Sequence, residues 1–280
     1  MAKKRKTSSS KCSDQDKRNG GTSDQFGTST ASSKVPFESF PLHLFPDPLN
    51  GNSKTGSGSG GSSLKVQELH PGRVWVIPNF FSRKECREWV NFCESSGGLE
   101  YTAHPATNFT ANRECFRMQQ HDASELATRI FQRLRGGKDA NHGGGPLKRV
   151  QQESGDLYPA TRVPIGCNPN FRVYKYTKGH AFGKHVDGNN IIGREGGNAL
   201  HGCSTEMTML VYLTECSGGA TRFHTGRRKA MSKNKSSSFA FQPQVGALLL
   251  HVHGDHCLEH EADPVIDGFK YVLRTDLVYS

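Results

Sequence analysis

The chain has 280 residues and a formal net charge of +10, and hydrophobic residues make up 34% of it. This hydrophobic fraction is low for a chain that is globular throughout, so part of it is expected not to pack. No apolar run reaches the length that crosses a bilayer, so no membrane partner is expected. Nine Lys and Arg against five Asp and Glu fall in residues 1–63, which leaves a net charge of +6 on the rest. That mild excess permits an acidic partner without requiring nucleic acid.

Residues 1–63 are predicted to be a disordered basic tail, because Ser, Thr, Gly and Lys dominate them. Their one apolar stretch, Val35 to Leu49, is compatible with docking on the domain, with binding a partner, or with disorder. The cluster Lys3-Lys4-Arg5-Lys6 resembles a short nuclear localisation signal. With no signal peptide and no CxxC pair among eight cysteines, a nuclear or cytoplasmic protein with free thiols is expected, not a secreted one.

Residues 64–280 are predicted to form one domain. A strand is expected near residues 73–77, and Ser82 with Glu85 forms a capping box that opens a helix through about Cys93. Asp122 and Glu125 give a second capping signal before another helix. The later part of the chain is strand-rich, with strands expected at 171–176, 207–213, 220–223, 239–242, 247–252 and 271–279. Two helices packed on this strand-rich later half of the chain predict a mainly β (α+β) fold, an antiparallel sandwich or jelly roll with packed N-terminal helices.

A candidate metal site follows the strand 171–176, where the chain reads His185-Val186-Asp187. In an extended chain, residues two apart point to the same face, so the imidazole and the carboxylate converge. With one more histidine and open coordination positions, they would make the ligand set of non-haem Fe(II) oxygenases. The tripeptide alone arises often by chance, and a polar strand end is the simpler interpretation until a third ligand is found.

The third ligand is one of four late histidines, His251, His253, His256 and His260. His260 is favoured because it precedes the final strand at what would be the mouth of a barrel. Lys270 and Arg274 follow on that strand and can share a face. A cation fixed inside the barrel would bind the far carboxylate of a dicarboxylic co-substrate. Either of the two could instead face solvent.

The order of several motifs resembles the 2-oxoglutarate- and Fe(II)-dependent dioxygenases, and most of all the catalytic domain of the prolyl 4-hydroxylase alpha-subunit type. These motifs are His185-Val186-Asp187, the GGATRF segment 218–223, Pro243 with Gly246, His260, and Gly268-Phe269-Lys270. The resemblance covers about residues 64–280 and implies a double-stranded β-helix, or jelly roll. Lys270 stands ten residues past His260, as the anchoring cation of that group does. Tyr176 matches a tyrosine that hydrogen-bonds the co-substrate, whereas Phe182 replaces a tyrosine of the group.

By this resemblance, His185, Asp187 and His260 are catalytic metal ligands for Fe(II). Lys270, or Arg274 in its place, would bind 2-oxoglutarate together with Tyr176. The implied reaction consumes O₂, decarboxylates 2-oxoglutarate to succinate and hydroxylates a C–H bond, and ascorbate would keep the iron reduced.

Three functions are compared on this basis. A hydroxylase of prolyl or similar protein side chains is favoured, with a protein as substrate. A nucleic-acid demethylase of the same chemistry is possible, but it needs an aromatic platform beside the basic residues 222–235, and no clear one is found. A non-catalytic jelly-roll binding module would be expected to have lost a ligand or the cation. The sequence indicates neither the substrate nor the oligomeric state, and the Gly/Asn-rich stretch 188–204 is predicted to be a lid or substrate loop.

Overall fold

The computed structural model describes residue 37 and residues 39–45, 64–108, 110–136, 145–159, 161–193, 200–225 and 237–280. They belong to one compact unit, Val35–Ser280. No helix among the described residues is both long and apolar enough to cross a membrane.

Strands dominate the described part of the chain. Their bounds are β1 Gln67–His70, β2 Val74–Ile77, β3 Glu100–His104, β4 Arg113–Gln120, β5 Pro164–Cys167, β6 Phe171–Tyr176, β7 Phe182–His185, β8 Ser204–Tyr212, β9 Cys216–Gly218, β10 Thr221–His224, β11 Ser238–Phe241, β12 Leu248–Val252, β13 Glu259–Ala262, β14 Val265–Gly268 and β15 Lys270–Tyr279. The α-helices are α1 Arg83–Ser95, α2 Ser124–Leu134 and α3 Pro146–Glu153.

Thirteen strands form one antiparallel sheet in the order β1-β2-β12-β8-β15-β6-β4-β7-β13-β10-β11, with β3 beside β4 and β5 beside β15. The sheet curls, because side chains from distant strands of this order meet inside it. The Tyr212 hydroxyl of β8 lies 2.7 Å from the Thr221 hydroxyl of β10, and the His251 and His260 rings of β12 and β13 are 4.4 Å apart. The predicted mainly β, jelly-roll fold is confirmed.

The first helix begins as its sequence predicts. The Glu85 backbone N–H donates to the Ser82 hydroxyl at 3.2 Å, and the Ser82 N–H donates to the Glu85 carboxylate at 2.7 Å. This reciprocal pair satisfies two N–H groups that the first turn leaves without partners. Trp89 and Cys93 are buried on the inner face of α1.

The second helix begins differently from the prediction. Its N-cap is Ala123, which makes no side-chain capping bond. The Asp122 carboxylate instead accepts from the Ser124 hydroxyl at 2.5 Å, so the predicted capping box at Asp122 is wrong. The short helix α3 was not predicted.

A short segment before residue 64 packs on the domain. Phe40, Leu44 and Phe45 are buried in the main hydrophobic core. The Phe40 ring lies 5.2 Å from the Trp89 ring, and the Phe45 ring lies 4.9 Å from the Phe81 ring. Most of the predicted 1–63 tail lies outside the described residues, but this part of it belongs to the packed fold.

Candidate active site

Two neighbouring strands bring the candidate metal ligands together. His185 ends β7 and lies directly opposite His260 of β13 in the pairing of these strands. Val186 points outward and is 38% exposed, whereas Asp187 turns inward and is buried. One ligand atom from each of His185, Asp187 and His260 lies within 4.8 Å of the others.

Burial sets the protonation state of these ligands. It lowers the pKa of His185 to about 4, with help from nearby His260, and it lowers the pKa of His260 as well. Burial alone would raise the pKa of Asp187, but Arg274 and the surrounding histidines hold that pKa well below its usual value. The site therefore offers two neutral imidazoles and one carboxylate at neutral pH, which are the protonation states that bind a cation.

The two oxygens of Asp187 have different surroundings. Its Oδ2 accepts from the Thr208 hydroxyl at 2.5 Å and from the Arg274 guanidinium at 3.0 Å. Its Oδ1 lies 3.7 Å from His185 Nε2. Hydrogen bonds of this kind orient a ligating carboxylate, so Thr208 and Arg274 fix Asp187 with Oδ1 directed towards His185.

This donor set fits a divalent iron. Two imidazoles and one carboxylate on one side of a pocket leave the other coordination positions open, as in the 2-His-1-carboxylate oxygenases. A second group of possible ligands, His251, Cys257 and His260, shares one histidine with the first. The Cys257 sulfur of this second group already accepts from the Asp187 backbone N–H at 3.4 Å, and the group contains no carboxylate. The first group is therefore the better iron site.

A buried cation lies in the same pocket. Lys270 is 2% exposed and donates from Nζ to the Gly219 carbonyl at 2.6 Å. Gly219 has φ of +64°, and a Cβ there would lie 2.9 Å from Cys216 Sγ and 3.3 Å from Lys270 Cδ, so this position favours glycine. Among the described residues no carboxylate lies within ion-pair distance of Lys270. Burial lowers its pKa to about 8, although Cys216 and Asp263 act against the shift.

The two candidate anchors for 2-oxoglutarate have different partners. Arg274 is held by Asp187 and by Asp276, whose Oδ1 is 3.5 Å from the guanidinium. Lys270 has spare hydrogen-bonding capacity, because its ammonium group has three donors. Tyr176, the third predicted contact, lines the pocket with its ring centre 5.5 Å from Lys270 Nζ. Of these two candidates, Lys270 is therefore the cation without a carboxylate partner among the described residues, and Arg274 holds the carboxylate of the candidate ligand Asp187.

The sequence did not identify Thr208 as part of the site, and it marked Phe182 only as the replacement of a tyrosine. Thr208 lies in a strand of apolar appearance, and only its pairing opposite His251 reveals that it faces the pocket. Phe182 stacks on the His185 ring with centres 3.8 Å apart. The basic residues of the stretch 222–235 lie mostly outside the described residues. The first of them, Arg222, is neutralised by Asp263 at 2.6 Å.

No protein-family model matches the sequence, and no curated protein matches it. Solved structures with a similar arrangement include a viral collagen prolyl hydroxylase from Paramecium Bursaria Chlorella virus-1 in complex with 2OG. The two sequences are 14% identical, the match covers 74% of this chain and 96% of that chain, and the TM-score is 0.44. A prolyl hydroxylase from Trichoplax adhaerens, in complex with a peptide of hypoxia inducible factor, gives 17% identity, 74% and 83% coverage and a TM-score of 0.46. The structure of OsALKBH1 gives 14% identity, 76% and 99% coverage and a TM-score of 0.40. Because these similarities are weak, function must be inferred from the side chains of this chain.

Proposed function

We propose that this chain is an Fe(II)- and 2-oxoglutarate-dependent dioxygenase that hydroxylates a C–H bond, with decarboxylation of 2-oxoglutarate to succinate. One observation carries the proposal: a His-Asp-His group lines the same pocket as a buried lysine that has no carboxylate partner within the described part of the chain. A lysine in such a position is costly unless an anion joins it. The pair of features matches a small diacid bound between a metal and a cation.

Each residue has a role that follows from its surroundings. His185, Asp187 and His260 would hold Fe(II), and Thr208 with Arg274 would keep the carboxylate oriented. Lys270 would bind the far carboxylate of 2-oxoglutarate through charge-assisted hydrogen bonds. Iron and 2-oxoglutarate, when bound, supply the oxidative chemistry, while the protein supplies orientation and exclusion of water.

The substrate part of the proposal is a protein side chain of the prolyl type, with ascorbate as the reductant that maintains Fe(II). The motif order quoted above supports it, because it is most similar to the prolyl 4-hydroxylase type. The prediction of a nuclear or cytoplasmic location stays a prediction, since residues 3–6 lie outside the described residues.

The first test removes the metal carboxylate. Replacement Asp187→Ala leaves two buried imidazoles with no anion, so we expect loss of Fe(II) binding and at least a 100-fold lower rate of iron-dependent succinate release, on the order of 3 kcal/mol. The matched control is Asp255→Ala, which removes an exposed carboxylate from the loop after β12. Normal succinate release by the Asp187→Ala protein would refute the ligand assignment.

A further inference from the structure

Three arginines lie on the pocket-facing side of β4 and β6. Arg113 and Arg117 are four residues apart on β4 and therefore share a face. Arg117 pairs with Tyr174, a residue that lines the metal pocket. Arg172 of β6 lies directly opposite Arg274 of β15, which contacts the metal carboxylate. We call Arg113, Arg117 and Arg172 the arginine cluster.

The side chains of the cluster come close to one another and to the metal ligands. The Arg113 guanidinium lies 5.8 Å from the centre of the Tyr174 ring. Tyr174 is also the residue that pairs with Arg117. The Arg113 guanidinium also lies 5.3 Å from the Phe182 ring, which stacks on His185. Burial lowers the pKa of Arg117, and the charges of Arg172 and Arg113 lower it further, against an opposing effect of Tyr174. The three positive charges are therefore close enough to affect one another, and Arg113 lies beside the ring that stacks on His185.

The cluster has no anionic partner within the described part of the chain. None of the ion pairs among the described residues involves Arg113, Arg117 or Arg172. The Nε atom of each of the three is buried and without a hydrogen-bond partner. Among the described residues, the Arg117 guanidinium donates to the neutral side-chain amide oxygen of Gln119 and not to a carboxylate.

Of the carboxylates nearby, Glu100 lies opposite Arg117 in the β3–β4 pairing, but it is exposed and makes no ion pair with Arg117. Other residues engage the remaining ones. Asp187 and Asp276 are engaged by Arg274, and Glu261, across the pocket, is 2.8 Å from His224. Half-buried guanidiniums that repel one another, with no ion pair to a carboxylate of the described residues, are unfavourable in the free protein. An arrangement of this kind is typical of a site that awaits an anion.

We propose that the arginine cluster binds acidic side chains of a peptide substrate, next to the residue that enters the metal pocket. This proposal rests on the proposed function and narrows it to acidic protein segments. Guanidinium groups match carboxylate and phosphate oxygens in pairs, so aspartate, glutamate and phosphoserine side chains share the required chemistry.

The pocket favours a peptide over a nucleic-acid base. Enzymes that act on a base stack it on aromatic side chains. The aromatic rings that line this pocket are Tyr174, Tyr176 and Phe182. Phe182 is covered by His185 and faces Arg113, while Tyr174 and Tyr176 are each only 5% exposed. None of the three offers an open face to a base.

The test measures binding of fluorescein-labelled peptides to the full chain loaded with Fe(II) and 2-oxoglutarate under argon, where turnover cannot occur. An alternating Glu-Pro peptide is compared with a Gln-Pro peptide, a phosphoserine-Pro peptide and a single-stranded oligonucleotide of equal charge. We expect the Glu-Pro peptide to bind at least about 10-fold more tightly than the Gln-Pro peptide, with the difference shrinking as salt is added. Tighter binding of the phosphoserine peptide supports the proposal and identifies phosphate as the preferred acid.

Variants then assign the binding to the cluster. Each of Arg113→Gln, Arg117→Gln and Arg172→Gln should weaken Glu-Pro binding by roughly 10-fold, as expected for one lost charge-assisted contact. Arg117→Lys should restore part of the loss because it restores the charge. Arg87→Gln, at an exposed position of α1, removes the same charge elsewhere and should change nothing. Thermal unfolding of every variant separates lost binding from lost folding.

Three results would overturn the proposal. The first is equal binding of the Glu-Pro and Gln-Pro peptides. The second is an equal effect of the cluster variants and of Arg87→Gln on binding of the Glu-Pro peptide. The third is an oligonucleotide that binds more tightly than the Glu-Pro peptide through the same arginines. Repeating the titration with metal-free protein separates the two proposals. Acidic-peptide binding that survives without iron supports the cluster even if succinate release is never observed.

Discussion

At the scale of single residues, the most unusual feature of the molecule is a lysine in its interior. Lys270 is almost fully buried and makes one hydrogen bond to a backbone carbonyl. Arg274, four residues later on the same strand, has two carboxylates. Lys270 has no counter-ion among the residues that the structure describes, whereas Arg274 has Asp187 and Asp276, so substitutions of the two cations should affect different properties.

We therefore expect Lys270→Ala and Arg274→Ala to have distinct effects on catalysis. Lys270→Ala should raise the KM for 2-oxoglutarate by 10- to 100-fold, about 1.4 to 3 kcal/mol, because it removes a charge-assisted contact. Arg274→Ala should chiefly weaken Fe(II) binding, because Asp187 loses its counter-ion. The measurements are KM for 2-oxoglutarate at saturating iron and Kd for Fe(II) by calorimetry. A larger KM effect of Arg274→Ala would assign the anchor to Arg274.

The pKa of Lys270, about 8 in the free protein, predicts a pH dependence of co-substrate binding. Binding of a carboxylate favours the ammonium form and raises this pKa in the complex. The affinity for 2-oxoglutarate should thus be full below about pH 8 and fall up to roughly 10-fold per pH unit above it, until the pKa of the complex is reached.

The conservative variant Lys270→Arg is the control for this titration, because a guanidinium stays protonated throughout the range. Kd for 2-oxoglutarate, measured with Mn(II) under argon from about pH 7 to about pH 9.5, should be flat for this variant, whatever its absolute affinity. A wild-type affinity that is equally flat would mean that Lys270 is not the group that binds the co-substrate.

At the scale of elements, the final strand organises the site. Alternate residues of β15 face the pocket, so Lys270, Arg274 and Asp276 lie on one side of it. Tyr271, Leu273 and Leu277 belong to the hydrophobic core on the other side. One strand thus positions the candidate anchor and the counter-ion of the metal carboxylate, and its packing fixes the distance between them.

The elements that sequence reasoning found are those with a regular apolar pattern or a local capping signal. The strand Phe171–Tyr176 was predicted with its observed bounds, and helix α1 was predicted from the reciprocal bonds of Ser82 and Glu85. Strand β4 was not found, because its pocket-facing side carries Arg113 and Arg117 where a sheet facing a core would show apolar residues. Arg113 and Arg117, which obscure the apolar pattern of this strand, are two of the three residues of the arginine cluster.

The site was predictable only as far as its spacing was local. His185 and Asp187 are two residues apart, so their convergence follows from strand geometry. His260 was chosen over His251 from its place before the final strand and its spacing to Lys270, whereas the pairing of β7 with β13 that sets it opposite His185 is not visible in a single sequence. The hydrogen bond from Thr208 likewise depends on how β8 lies against the loop after β7.

At the scale of the whole molecule, the fold extends beyond the predicted domain boundary at residue 64. The Arg129 guanidinium donates to the backbone carbonyls of Leu42 and Phe45 at 3.1 and 2.9 Å. The Phe40 N–H donates to the Gln120 side chain at 2.7 Å. Side chains from the same segment fill the core beside α1, so these residues contribute to the packing of the domain.

We expect a chain shortened to residues 64–280 to be less stable than one comprising residues 35–280. Phe40, Leu44 and Phe45 are at most 4% exposed, and each buried side chain of this size contributes about 1.5–3 kcal/mol. The free energy of unfolding, from urea titration, should fall by roughly 3–6 kcal/mol, after allowance for the entropy regained by the released segment. The single substitutions Phe40→Ala and Phe45→Ala, in the 35–280 chain, should each cost about 3 kcal/mol.

This loss should be one of stability alone, because the segment packs beside α1 and not among the residues that line the metal pocket. Below the unfolding transition, the 64–280 chain should bind Fe(II) with the Kd of the 35–280 chain. Equal urea midpoints for the two chains would show that the segment contributes nothing to folding. A shortened chain that is fully folded but binds Fe(II) more weakly would instead reveal a coupling between this segment and the metal ligands that no contact in the structure explains.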